Sequence, residues 1–161
     1  MTGRRGADEA GAGLVHKLAG EQALARGHRL LDPLALEAAA AGVGVDSDRF
    51  LAAILALAGA RVVNVHTFGP SSLITLLRLT EDGFVRHLTA TRSDLDAVRG
   101  RVLDALRAQA GGSGLGQAVD LAGALGEPTL LVEVLLDELR GQGRLVFTNV
   151  AGGRFRIHRM G

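Results

Sequence analysis

The sequence predicts a mostly helical α+β protein made of two similar halves, and three observations lead there. Apolar residues recur at three- and four-residue spacings over several stretches, which is the period of an amphipathic helix. β-Branched, alternating runs occur in two places, each broken by a glycine-containing turn. The order helix, turn, helix, hairpin appears twice, and Phe50, Ile54 and Leu57 recur 82 residues later as Val132, Leu136 and Leu139.

Residues 1–12 are glycine-rich and polar and are expected to form a flexible N-terminus. Leu14, Leu18 and Leu24 sit in an Ala/Leu-rich stretch that reads as a helix over 14–26. Asp32 before Pro33 is a helix start, because the carboxylate caps free amides and proline is preset for the first turn; the helix covers 33–41 and is closed by 42–44. Asp46, Ser47 and Asp48 then open a second helix that runs to about residue 60. The pattern turns to alternation over 61–68 and 72–80, a hairpin joined by 69–71 and stopped by Glu81, Asp82 and Gly83.

Ser93 is placed to cap a helix in which Leu95, Val98, Val102 and Leu106 share one face, ending at Gly111 and Gly112. Residues 112–116 (GSGLG) read as a flexible connector. They follow a helix and have no lysine behind them, so they lack the strand-to-helix turn that a phosphate loop requires. Helices are expected over 117–125, stopped by Gly126, and over 129–140, then a hairpin of 145–149 with 154–158. The expected organisation is a flexible segment 1–12, a domain 13–92 and a domain 93–161.

Composition narrows the function classes. Eighteen Lys+Arg against 17 Asp+Glu give a net charge of +1, so anion binding has to come from a local cluster. Five Phe with no Tyr or Trp disfavour a single-strand nucleic-acid surface built on stacked aromatics. With no Cys there is neither a disulfide nor a thiolate metal site. The longest apolar run, 50–60, is 11 residues, short of the roughly 20 that span a bilayer. No apolar run follows Arg4 and Arg5 as in a secretory signal. The expectation is a cytoplasmic protein with no membrane partner.

No catalytic constellation emerges. His16, His28, His66, His87 and His158 include no pair three or four apart, so no helix face presents a metal pair. No serine lies in a Gly-x-Ser-x-Gly turn, and Ser47 and Ser93 are better explained as caps. Asp94 and Asp96 diverge on a helix, so they do not form an acid/base pair. The chain is expected to be no enzyme and to carry no metal or cofactor.

Residues 119–126 (VDLAGALG), 132–139 (VEVLLDEL) and 143–146 (GRLV) together resemble the winged helix-turn-helix family. That family recurrently shows a Leu-Ala pair on the second helix, a turn glycine, core aliphatics on the third helix and a Gly-x-Leu-Val start to the wing. The resemblance covers 93–159. The first half, 13–90, is similar in order, and 79–83 (LTEDG) looks like the Leu-Thr-x-x-Gly pattern that follows the wing, although its second helix is alanine-only at 38–41. Tandem winged-helix domains are what the resemblance implies. An alternative for the first half takes 84–91 as a third strand, making 46–110 similar to the helix, three-strand meander and helix of a roadblock-type domain.

A winged helix normally reads DNA with its third helix, using Arg, Lys, Asn or Gln in the major groove. Neither third helix is equipped in this way. The stretch 50–60 has no polar side chain, and with Phe50, Ile54 and Leu57 inward, Ala52, Ala56 and Gly59 form a small, smooth outer stripe. In the second half Thr129, Leu130, Glu133, Val134 and Asp137 lie between the core positions, two of them acidic. The sequence therefore points to a regulatory protein acting by protein–protein contact, with a partner or as a homodimer, through Ala52, Ala56 and Gly59. The alternative is a double-stranded DNA regulator that holds phosphates through Arg140, Arg144, Arg154, Arg156 and Arg159 around the second wing, where Arg154, Arg156 and His158 alternate onto one strand face.

Overall fold

A computed structural model describes residues 2–68, 73–110, 115–150 and 154–161. The chain is α+β and mostly helical, and it divides into two compact units, Met1–Thr91 and Arg92–Gly161. The first unit contains α1 (Thr2–Arg26), β1 (Leu30–Leu31), α2 (Pro33–Gly42), α3 (Ser47–Gly59), β2 (Val63–Phe68), β3 (Leu73–Leu79) and α4 (Glu81–Thr91). The second contains α5 (Leu95–Ala110), β4 (Leu115–Gln117), α6 (Ala118–Leu125), α7 (Thr129–Gly141), β5 (Leu145–Val150) and β6 (Arg154–Met160). Each unit thus repeats helix, short strand, two helices and hairpin. Each sheet is antiparallel, and the short strand pairs with the last strand, in the orders β1-β3-β2 and β4-β6-β5. The expected turns at 69–71 and 151–153, and residues 111–114 of the expected connector, lie outside the described residues.

In the first unit, local signals and packing act together. The Asp32 carboxylate accepts from the amides of Leu34 and Ala35, both at 3.1 Å, and that of Asp46 accepts from Arg49 at 2.9 Å, so both aspartates cap helices. Phe50, Ile54 and Leu57 point into the core with Leu36, Val63, Leu77 and Leu79. Residues 2–12, expected as a flexible segment, are helical: α1 runs from Thr2, and its buried stripe of Gly11, Val15, Ala19 and Ala23, four apart, begins at Gly11. Residues 81–83, expected to stop the hairpin, follow the end of β3 at Leu79 and also start a helix. The segment 84–91 lies in that helix, α4, which removes the roadblock-like alternative.

The start of α4 is specified by Thr80 and Gly83. Thr80 Oγ1 accepts the Gly83 amide at 2.9 Å and lies 2.8 and 2.9 Å from the carbonyl oxygens of Arg61 and Val62. Gly83 is packed so closely that a Cβ there would sit 2.2 Å from the Val62 carbonyl oxygen. Across the seam, His16 Nε2 lies 2.7 Å from the Gly83 carbonyl oxygen and donates to it in the matching tautomer. One turn further along, Gly20 of α1 makes room for the His87 ring, which is 3% exposed. Phe84 flanks that ring with centroids 6.4 Å apart.

The core of the second unit comprises Leu95, Val98, Val102 and Leu106 of α5, Leu121 of α6, six apolar residues of α7 besides Val132, and Leu145, Phe147 and Phe155 of the sheet. Leu130 and Val134, expected on the outer side of α7, are buried. Ser93 is not the cap of α5: the helix begins at Leu95, and the Asp94 carbonyl accepts the Val98 amide at 3.0 Å, which makes Asp94 the capping position. Residues 115–116, expected in a connector, belong to β4, and Gly116 is required there because a Cβ would sit 2.8 Å from the Phe155 ring.

Long-range ion pairs link α5 and the residue Arg92 before it to Glu127 in the α6–α7 turn and to Glu138 of α7. Arg92 grips the Glu127 carboxylate at 2.5 and 3.1 Å, and Arg101 adds a bond at 2.9 Å. Arg99 holds Glu138 with bonds of 2.8 and 2.9 Å. Among the described residues, no helix is long and apolar enough to cross a membrane.

Candidate functional site

Three surfaces carry the residues of functional interest. The first is the outer face of α3. The Asp46 cap fixes where the helix starts, and the inward set of Phe50, Ala53, Ile54 and Leu57 fixes its rotation. Ala52, Ala56 and Gly59 are consequently exposed. Leu55 completes the same face and is 55% exposed. Leu55 is not among the residues that the small-residue stripe selects, although it lies three residues after Ala52 and four before Gly59. The surface from residue 52 to residue 59 is apolar, with no side chain able to hydrogen-bond a base edge.

The second surface is the outer side of α7. With Leu130 and Val134 inside, Glu133 and Asp137 dominate what faces outward. Both line a concavity of about 420 Å³ that is completed by Phe147 and Asn149 of β5 and Arg154 and Phe155 of β6. Asp137 pairs with Arg140 at 3.0 Å, and the Arg140 guanidinium lies 5.0 Å above the Phe147 ring. Arg140 is therefore held within the unit, and Arg154 borders a carboxylate-lined space.

The exposed face of the second sheet is the third surface. Thr148 pairs with Arg156 and Val146 with Arg159, and a β-bulge between Val146 and Phe147 leaves His158 as the extra residue of β6. Directly paired residues share a face, so the bulge brings Arg159 onto the side occupied by Arg156. His158 Nε2 lies 2.9 Å from Thr148 Oγ1 on that same side. Simple alternation would have turned Arg159 away, so the shared face depends on an irregularity with no sequence signal. Arg144, just before β5, is also exposed.

Two titratable groups away from these surfaces are shifted by their surroundings. Burial lowers the pKa of His87, the charges of His16 and Lys17 lower it further, and Glu21 opposes them. The two arginine partners hold the Glu127 carboxyl below the usual glutamate range, with the Arg92 hydrogen bond contributing most. Among the described residues, no group of three or more His, Asp or Glu side chains is placed to hold a metal ion. The five histidines are dispersed: His16 and His87 sit at the α1–α4 seam, His28 and His66 at the first sheet and His158 at the second.

No protein-family model matches this chain, and no curated protein matches it.

Proposed function

We propose that the chain is a non-catalytic regulatory protein of two winged-helix domains that acts through protein–protein contact, as a homodimer or with a second protein, across the outer face of α3. The observation that carries this reading is the composition of that face. In a winged helix the corresponding helix meets the major groove, and here it offers Ala52, Leu55, Ala56 and Gly59 instead of donors and acceptors. Small side chains let a second helix approach closely, and Leu55 supplies an apolar knob to bury. The repeated element order and equal sheet orders support the winged-helix reading of both units.

The test is Ala56→Arg. A long charged side chain cannot fit between closely packed helices, so the variant should keep its helical circular dichroism and run as a smaller species in light scattering, or lose the partner. Unchanged mass and unchanged partner binding would refute the assignment to this face.

A second reading is favoured by one observation, the shared exposure of Arg156, His158 and Arg159 with Arg144 nearby. In that reading the second sheet holds duplex DNA by its phosphates without reading sequence. A mobility-shift titration at rising salt distinguishes the two, because phosphate-driven binding weakens steeply with salt and should vanish when Arg144, Arg156 and Arg159 are replaced together.

A further inference from the structure

The sheet of the first unit has an open face on the side away from its core. Cross-strand register aligns Leu30 of β1, Arg78 of β3 and Asn64 of β2 in one row, and Leu76 and His66 in the next. All five side chains are exposed, because the other face carries the buried Leu31, Val63, Leu77 and Leu79. His28 and Arg29, in the turn after α1, close the end of this face, and together the seven residues line a concavity of about 590 Å³. That volume lies within the range of small-ligand sites, roughly 300–1,000 Å³.

The chemistry of the lining is one-sided. Two guanidiniums, two imidazoles and an amide border the space, and no carboxylate does. Arg29 is anchored: its carbonyl accepts the Leu79 amide at 2.9 Å, and its Nη1 donates to the Leu79 carbonyl at 3.3 Å, which leaves the remaining donors of the fork available. Among the described residues, the Arg78 side chain forms neither an ion pair nor a hydrogen bond. Leu30 and Leu76, 45% and 39% exposed, add an apolar floor.

We propose that this concavity binds a phosphorylated small molecule, with the phosphoryl group between Arg29 and Arg78 and an apolar portion against Leu30 and Leu76. A phosphoryl group suits the lining better than a carboxylate. It carries up to about two negative charges and three strong acceptor oxygens, and it accepts the parallel donors of a guanidinium in bidentate fashion. The site lies on the first unit and shares no residue with either surface of the proposed function.

The experiment is calorimetric titration of the full chain with pyrophosphate and with hexyl phosphate. Both should bind, and Arg78→Gln should weaken each by about 10- to 100-fold, the loss expected for a hydrogen-bonded charge pair. Arg29→Gln should act similarly, with circular dichroism checking the fold because Arg29 also holds β3. Arg156→Gln on the second unit should change nothing. Hexyl phosphate should bind more tightly than inorganic phosphate, and Leu76→Gln should remove that difference. No binding of any of these phosphates, indifference to Arg78→Gln, or equal binding of succinate would overturn the proposal. Two further arms test the source. Exclusive binding to phosphatidylcholine vesicles containing phosphatidic acid would overturn the soluble-ligand assignment in favour of a lipid headgroup. Exclusive binding to duplex DNA would overturn it in favour of a nucleic-acid backbone.

Discussion

Two glycines seven residues apart on α1 should respond to the same substitution with opposite signs. A Cβ on Gly13 meets nothing within 4 Å, whereas a Cβ on Gly20 would sit 2.1, 2.3 and 2.4 Å from Cγ, Cδ2 and Nδ1 of His87. Gly13→Ala should therefore stabilise by about 0.5–1 kcal/mol, the helix-propensity difference. Gly20→Ala gains the same propensity but forces the His87 ring back by roughly 1.4 Å to reach ordinary contact near 3.5 Å. The ring is almost fully buried and flanked by Phe84 and His16, so it has little room to retreat. Overpacking of this kind costs about 1–3 kcal/mol, and expulsion of the ring costs more, so the net effect should be a loss of about 2 kcal/mol. For a unit of this size that lowers Tm by about 10 °C. The chain has no Trp or Tyr, so urea and thermal unfolding are best followed by far-UV circular dichroism. In a His87→Ala background, Gly20→Ala should turn stabilising, because the new methyl fills the vacated space. A rise in Tm for Gly20→Ala with His87 intact, matching that of Gly13→Ala, would refute the packing argument.

Three other expectations follow from the same reasoning. Gly83→Ala should destabilise the first unit by more than Gly20→Ala does, because the obstacle is a backbone carbonyl that cannot change rotamer; similar Tm losses would count against this. Leu139→Ala, at a fully buried site, should cost about 2–5 kcal/mol in urea unfolding, while Asp137→Ala, which loses only a half-exposed ion pair, should stay within about 1 kcal/mol. Stability should fall in two acid steps. The lowered pKa of His87 means that the unfolded chain binds the proton more readily, so its contribution is complete above about pH 6.5 and is lost below it. That of Glu127 is complete above about pH 4.3 and is lost as pH falls through its lower folded value. In Tm-against-pH curves, His87→Gln should remove the upper step and Glu127→Gln should shrink the lower one, to which Asp94, held low by its hydrogen bond from Arg92, also contributes.

Elements whose signals are local are legible in the chain alone. The Asp32-Pro33 and Asp46 caps, the αL glycine Gly126 at the end of α6 and the apolar stripes of α3 and α7 can all be read within a few residues, because capping and helical period act over one or two turns. The exposure of Ala52, Ala56 and Gly59 followed from the same period once Phe50, Ile54 and Leu57 were placed inward. Tertiary structure decided the rest. β1 and β4 are two and three residues long and exist only because β3 and β6 supply their hydrogen-bond partners. α4 depends on Gly83 lying against Val62, and the stripe of α1 from Gly11 to Ala23 is buried against the rest of the unit, neither of which a local window registers. The basic faces of the two sheets have the same origin. Arg29 and Arg78 are 49 positions apart in sequence, Arg159 reaches the side of Arg156 through a bulge, and only strand register brings such residues together.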